Sequence, residues 1–187
     1  MKYIFDFDDV LFKNTEMLKP RMFQLIAVAG IDEETIKGDY YRPEVRWQQF
    51  SLLNFIKKLF TAHNITGKDP KKLYEEIMSE CHNFLNMDLV EEIKKLGKEN
   101  CYIVTNGEDE FNWDKLRYSG ILNYINEENV RVVPDTKKDA IKEICDLNRE
   151  SRVLFIDDKA QFTQDINFAD CPNLTTIVYR GEKLDFI

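Results

Sequence analysis

The period of the apolar positions divides the chain into three stretches. Tyr3-Ile4-Phe5 is a short unbroken apolar run that delivers Asp6, Asp8 and Asp9 almost together. After Phe12 the pattern becomes helical and stays so to about residue 98. In residues 14–29, Met17, Leu18, Met22, Leu25, Ile26 and Ala29 form one stripe of 3.6-residue period, and Gly30 is placed to stop it. Pro43 suits the first turn of a second long helix, with Val45, Leu52, Leu53, Ile56, Leu59 and Phe60 on its buried side. Asp69-Pro70 opens a third, with Leu73, Ile77, Cys81 and Leu85. Stripes of this kind are usually core, so these helices are expected to pack on one another as a bundle. Asp88 to Leu96 reads as a short amphipathic helix closed by Gly97.

From Asn100 onward the period alternates. Cys101 to Val104, Val130 to Val133 and Val153 to Ile156 are short apolar runs with the composition of strands buried on both faces, and Thr175 to Tyr179 is a last apolar segment. Helical patterns lie between them, at about 108–119, 136–148 and 160–169. This alternation predicts an α/β fold, a doubly wound parallel sheet of about five strands, with an inserted all-helical domain. The expected core is residues 1–12 plus 87–187, and the insertion is 13–86. In an open parallel sheet, ligands bind beyond the carboxyl ends of the strands. Those ends carry Asp6, Asp8, Thr105-Asn106 and Asp157-Asp158, and Lys137 follows the third run. Two carboxylates about 4 Å apart repel by about 4 kcal/mol at an effective dielectric near 20. Chains gather such groups where a cation or a reacting centre needs them.

Composition adds limits more than direction. The 187 residues are 43% hydrophobic and 32% charged, which fits a soluble globular protein. A net charge of −8 argues against a general nucleic-acid or anionic-membrane surface. No apolar run reaches the ~20 residues that span a bilayer, and the carboxylates near the N-terminus interrupt the apolar core that a signal peptide needs. Cys81, Cys101, Cys145 and Cys171 have no zinc-like spacing and read as packing residues. His63 and His82 read the same way. A cytoplasmic location is expected, with no membrane and no nucleic-acid partner. Nothing in the sequence speaks to oligomeric state.

Taken in order, these residues resemble the four motifs of the haloacid dehalogenase (HAD) superfamily. Motif I is read in Asp6-Phe7-Asp8-Asp9-Val10, motif II in Thr105, motif III in Lys137 and motif IV in Asp157-Asp158. The helical insertion directly after motif I is similar to the family's helical cap. The resemblance implies Mg²⁺ and a phosphoaspartyl intermediate. It makes Asp6 the nucleophile and Asp8 the general acid/base, with Lys137 bridging nucleophile and phosphate. Thr105 and Asn106 bind the phosphoryl group, and the metal falls to Asp6, Asp8, Asp158 and Asp157. Lys137 is preferred to Lys138 because the family lysine usually sits four residues before an apolar helix position, here Ile141. Two positions depart from the family pattern. Asp9 stands where many members have Gly, and Phe162 stands four residues after Asp158, where a carboxylate is expected; Asp165 lies further on.

The chemistry agrees with this arrangement. A carboxylate attacks an anionic phosphate only when charge is neutralised, and Lys137 with Mg²⁺ would neutralise it. Mg²⁺ prefers an all-oxygen shell. Asp8 would protonate the leaving alkoxide and then activate water. The expected activity is hydrolysis of a small phosphorylated metabolite by a HAD-like phosphoric monoester hydrolase. A phosphomutase would reveal itself by a bisphosphate requirement. A dehalogenase is disfavoured because, in the family, dehalogenases lack the second motif I aspartate. A silent HAD-like binding protein would show no metal-dependent turnover. A signalling receiver domain has a different order of acidic pair, Thr and Lys. Arg42, Arg46, Tyr40, Tyr41 and Trp47 are candidates for the pocket wall on the insertion.

Overall fold

The computed structural model describes residues 1–46, 49–164, 166 and 169–182. Trp47, Asp165 and the side chain of Arg46 lie outside the described part. Five strands form one sheet: β1 (Lys2–Phe5), β2 (Cys101–Asn106), β3 (Val130–Val133), β4 (Val153–Asp157) and β5 (Leu174–Val178). All pairings are parallel, and the order is β3-β2-β1-β4-β5. The chain winds outward from β1 on one side and then on the other. The crevice between β1 and β4 is therefore the topological switch point, where parallel sheets bind ligands.

The alternation of side chains across the strands builds two hydrophobic layers. Ile4, Val104, Val153 and Phe155 pack on one face with Ala140, Ile141, Ile144 and Cys145 of α8 (Lys138–Leu147). Tyr3, Phe5, Ile103, Leu154 and Ile156 point to the other face. That face is covered by α6 (Met87–Leu96), by α7 (Asp109–Ser119) and by the helical segment between β1 and α6. A short α9 (Ala160–Gln164) follows β4, where the sequence pattern suggests a helix to 169. All four cysteines are free and buried. Among the described residues no helix is long and apolar enough to cross a membrane.

The helical segment differs from its sequence pattern in instructive ways. Residues 14–29 are not one α-helix. A π-helical turn, Asn14–Leu18, runs into α1 (Lys19–Ala27), with the Lys19 N–H donating to the Asn14 carbonyl. Pro20 has no N–H to give to the preceding turn, and it suits the start of a new helix. An α2 (Glu33–Tyr40), capped by the Asp32 side chain on the Thr35 N–H, was not legible, because only Ile36 and Tyr40 of it are buried. The long helix expected from Pro43 is two pieces, α3 (Pro43–Arg46) and α4 (Leu52–Ala62). Ser51 accepts the Asn54 N–H and restarts the chain as an N-cap. Asp69 and Pro70 do open α5 (Pro70–Ser79). Cys81 and Leu85 fall beyond it, Cys81 in a 3₁₀ turn and Leu85 in a β-bridge to Phe12.

The helical segment was expected to pack on itself. Its helices do pack on one another, α1 on α2 and α5 and α4 on α5, and their buried side chains also form one continuous cluster with the sheet, from Phe5 and Phe7 through Leu18 and Met22 to Met78 and Cys81. Its two ends are tied to each other: the Lys13 N–H donates to Phe84 O and the Asn86 N–H to Leu11 O, both at 2.8 Å. The Asn86 side chain adds bonds to Val10 O and to the Tyr179 hydroxyl.

Candidate active site

The first strand ends where its backbone still bonds β4, the Asp6 N–H to Ile156 O at 2.8 Å. Asp6 is therefore held inside the sheet and is 3% exposed. Its Oδ1 accepts the Phe7 N–H at 2.7 Å and faces Lys137 Nζ at 2.8 Å. The chain then turns sharply. The N–H groups of Leu11 and Phe12 both return to Phe7 O, and Asp9 sits in the left-handed region at φ 63°. Asp is among the few residues that tolerate that conformation. Its carboxylate secures the turn by accepting the backbone N–H and the hydroxyl of Thr15, each at 2.6 Å. The departure from glycine at this position is thus a built hydrogen-bonded corner.

Lys137 immediately precedes α8 and is 1% exposed. Its ammonium reaches Asp157 Oδ2 at 2.6 Å as well as Asp6, and it lies 4.7 Å from the centroid of the Phe162 ring. Phe162, found where the family pattern has a carboxylate, thus lends its π-face to the ammonium. Lys138 points to solvent. Removing one partner of a fully buried ion pair costs about 3–5 kcal/mol, so this pairing has one register only.

One carboxylate oxygen from each of Asp6, Asp157 and Asp158 lies within 4.8 Å of the others. Both oxygens of Asp157 are engaged, Oδ2 by Lys137 and Oδ1 by the Lys159 N–H at 2.8 Å. Asp158 Oδ1 is buried and, among the described residues, has no hydrogen-bond partner; Lys159 Nζ stands 3.7 Å away. At about 4.8 Å and an effective dielectric near 20, each ionised pair repels by about 3–4 kcal/mol. Burial raises the Asp6 carboxyl to about 7, against the pull of Lys137 and with the help of Asp157 and Asp8. Burial also raises Asp158, opposed by Lys159 and helped by Asp157 and Asp9. For Lys159 burial acts downward, but the charges of Asp158, Asp6, Asp157 and Asp8 outweigh it and raise its pKa. A crowded all-oxygen group with one unsatisfied buried oxygen fits a hard cation such as Mg²⁺.

Asp8, named in the sequence with the metal set, stands outside this carboxylate group. Both its oxygens are held by Lys115 Nζ, at 2.7 and 2.6 Å. Thr105, near the end of β2, is 1% exposed. Asn106 donates from its side chain to Asp135 O at 3.3 Å. Asp6, Asp8, Thr105, Asn106, Lys115 and Lys159 all border one cavity of about 250 Å³. The opposite wall comes from the helical segment, with Leu18, Lys19, Met22, Tyr40 and Phe50. Phe50 also meets Phe111 of α7 edge-on, ring centroids 5.7 Å apart.

Of the candidates on the helical segment, Tyr40 borders the cavity. Arg42 does not: it is exposed and pairs with Asp39 at 2.7 Å. Tyr41 is exposed and meets Tyr40 edge-on and Phe23 at a tilt. Sequence reasoning missed Lys115, Lys159 and Phe50. For Lys115 a signal exists. It lies four residues after Phe111 and next to Leu116, inside the buried stripe of α7, where a lysine is costly unless paired. Lys159 and Phe50 have no such signal.

No family model and no curated protein matches the chain. Solved structures do match it in fold. A haloacid dehalogenase-like hydrolase from Burkholderia xenovorans superposes with a TM-score of 0.71 at 15% identity, covering 93% of this chain and 79% of its own. A Thermotoga maritima protein described as a β-phosphoglucomutase gives 0.58 at 15% identity, covering 99% and 89%. A HAD family enzyme from Bacteroides thetaiotaomicron, in complex with magnesium and inorganic phosphate, gives 0.58 at 13%, covering 99% and 97%. This chain is therefore an α/β protein of the HAD-like fold.

Proposed function

We propose that this chain is a Mg²⁺-dependent phosphatase that hydrolyses a small phosphorylated metabolite through a phosphoaspartyl intermediate on Asp6. The observation that carries the reading is the meeting of Asp6, Asp157 and Asp158 within 4.8 Å, with Lys137 bonded to the first two, at the switch point of the sheet. The Bacteroides protein of the same fold binds magnesium and phosphate, which supports it.

Asp6 and Asp158 would hold Mg²⁺, which when bound supplies positive charge to the phosphoryl oxygens and to the attacking carboxylate. Asp157 has both oxygens engaged and orients Lys137. Lys137 lowers the repulsion between Asp6 and the phosphate. Thr105 and Asn106 border the place where phosphoryl oxygens would lie. An Asp6 oxygen attacks phosphorus, the P–O bond to the leaving group breaks, and Asp8 gives that oxygen its proton. Water then attacks the phosphoaspartate, Asp8 takes its proton, and the carboxylate of Asp6 is restored. The helical segment would act as a cap. The cavity of about 250 Å³ suits a small substrate over a phosphoprotein or nucleic acid. Phosphate release from sugar phosphates, nucleotides and small phosphorylated acids, with Mg²⁺ and with EDTA, tests the reading. Metal-dependent release from at least one of these is expected, and none from the Asp6→Asn protein. Turnover that survives Asp6→Asn in a folded protein would overturn the mechanism.

A further inference from the structure

We propose that Lys115 is a positioning residue for Asp8: it fixes the carboxylate that transfers protons and so governs proton transfer separately from attack by Asp6. The inference rests on the phosphatase reading above, and it concerns a residue that none of the four motifs contains.

The geometry is specific. Lys115 is 2% exposed. Its ammonium bonds both oxygens of Asp8, which removes the freedom of the carboxylate to rotate about its last torsion. The ammonium lies 5.0 Å from the Phe111 ring centroid and 5.8 Å from that of Phe7, so aromatic faces hold the lysine from two sides. Phe7 is the residue between Asp6 and Asp8, and Phe111 is one turn back on α7. The bonded pair borders the same cavity as Asp6 and Thr105.

A packing role alone does not account for a lysine here. Buried ion pairs contribute little net stability, because desolvation cancels most of the attraction, and apolar replacements are often neutral or better. The inward face of α7 already carries Phe111 and Leu116, so an apolar residue at 115 would suit it. What the ammonium adds is direction. The two motif I carboxylates that take part in the chemistry are then each tied to a different buried lysine, Asp6 to Lys137 and Asp8 to Lys115. The two lysines come from opposite sides of the sheet. Asp6 and Asp8 are two residues apart, yet each is held in its own place.

This assignment separates two steps of the reaction. When the Asp6–phosphorus bond forms, the electron pair of the breaking P–O bond goes to the leaving oxygen. An alkoxide needs the proton from Asp8, whereas an acidic phenolate does not. kcat/KM reports this first transfer, so a displaced Asp8 should affect alkyl esters more than aryl esters. Water attack needs Asp8 for both substrates and enters kcat.

The test compares the wild type, Lys115→Met, Asp8→Asn and the double variant with Mg²⁺, on an alkyl phosphate that the wild type turns over and on 4-nitrophenyl phosphate. Lys115→Met should lower kcat/KM for the alkyl ester by about tenfold more than for the aryl ester. It should also produce a burst of nitrophenol as the phosphoenzyme accumulates. In the Asp8→Asn background, Lys115→Met should add no further loss. That comparison also serves if Lys115→Met alone does not fold, because the double variant leaves no unpaired charge in the interior. Crystals of Lys115→Met, or of a Lys115→Gln protein, should show the Asp8 carboxylate displaced while Asp6, Lys137 and Asp157 keep their places. Equal losses of kcat/KM on both esters, full additivity in the double variant, or an undisplaced Asp8 would each overturn the proposal and leave the phosphatase reading standing. A wild-type protein that releases phosphate from neither ester would overturn the phosphatase reading, and this assignment with it.

Discussion

At the scale of single residues, the site is a matter of which charges are allowed to be buried. Lys137 and Lys138 are adjacent, yet one is sealed between Asp6 and Asp157 and the other faces solvent. Lys137→Ala should reduce turnover by at least about a hundredfold, because one charge-stabilising group at such a centre contributes a few kcal/mol. Lys138→Ala should change it by less than about twofold, since a solvent-facing substitution seldom matters by more than about 0.5 kcal/mol. Steady-state kinetics on one substrate checks both, and equal losses would mean that the lysine register is wrong. Asp9 gives a second prediction, of stability. It combines a left-handed backbone with two bonds to Thr15. Asp9→Ala should lose both the tolerance and the bonds, lowering stability by about 1–2 kcal/mol. Asp9→Gly loses only the bonds and should cost less. Urea denaturation of the two variants decides the order.

At the scale of elements, the position of each helix is set by what its inward face must meet. The buried face of α7 holds Asn112 and Lys115 among its apolar residues, because that face borders the site as well as the sheet, while the buried Ser119 hydroxyl donates to Leu116 O and accepts the Ile121 N–H where the helix ends. The start of α8 places a lysine where the helix dipole disfavours a cation. Asp6 and Asp157 more than offset this, since they are full charges at bonding distance. The loop before α4 brings Phe50 onto Phe111, across the cavity from the carboxylates. Phe50→Ala should raise KM for the true substrate several-fold and change kcat little. The edge-on contact and the buried apolar area it loses are worth about 1–3 kcal/mol, and they lie away from the reacting atoms. A fall in kcat with KM unchanged would count against the helical segment as a substrate wall.

At the scale of the whole molecule, the sheet gathers carboxylates that cannot all ionise cheaply without a cation. With Asp6 raised to about 7, the metal-free folded protein keeps a proton that the unfolded chain releases near its ordinary value of about 4. Between those values the folded state binds more protons than the unfolded one, so this group's contribution to stability falls as pH rises toward 7. Asp158 is displaced in the same direction. Mg²⁺ competes with these protons. Its stabilising effect should be small at about pH 5.5 and largest above about pH 7, near 2.7 kcal/mol at about 100 times its dissociation constant. Thermal melts with Mg²⁺ and with EDTA at several pH values measure this. Asp158→Asn should abolish the metal-dependent shift, and a shift that survives there but is lost in Asp157→Asn would exchange the roles of the two.

The sheet was legible because each strand is a short apolar run with its own boundary residues; Val153–Asp157 is buried on both faces as its composition implies, whereas Val130–Val133 is an edge strand buried fully only at Val130. The convergence of Asp6, Lys137 and Asp157 was legible for the same reason, since strand ends in a parallel sheet share one edge. The helical segment was legible only as helical. Its breaks depend on local hydrogen bonds, the lost N–H of Pro20 and the Ser51 cap, which a stripe of apolar residues does not reveal. The union of that segment with the sheet in one cluster was decided by packing. So was the partner of Asp8. A carboxylate and a lysine 107 residues apart are joined only when α7 is laid on the sheet, because burial of the ammonium has to be matched by a charge that the sequence placed far away.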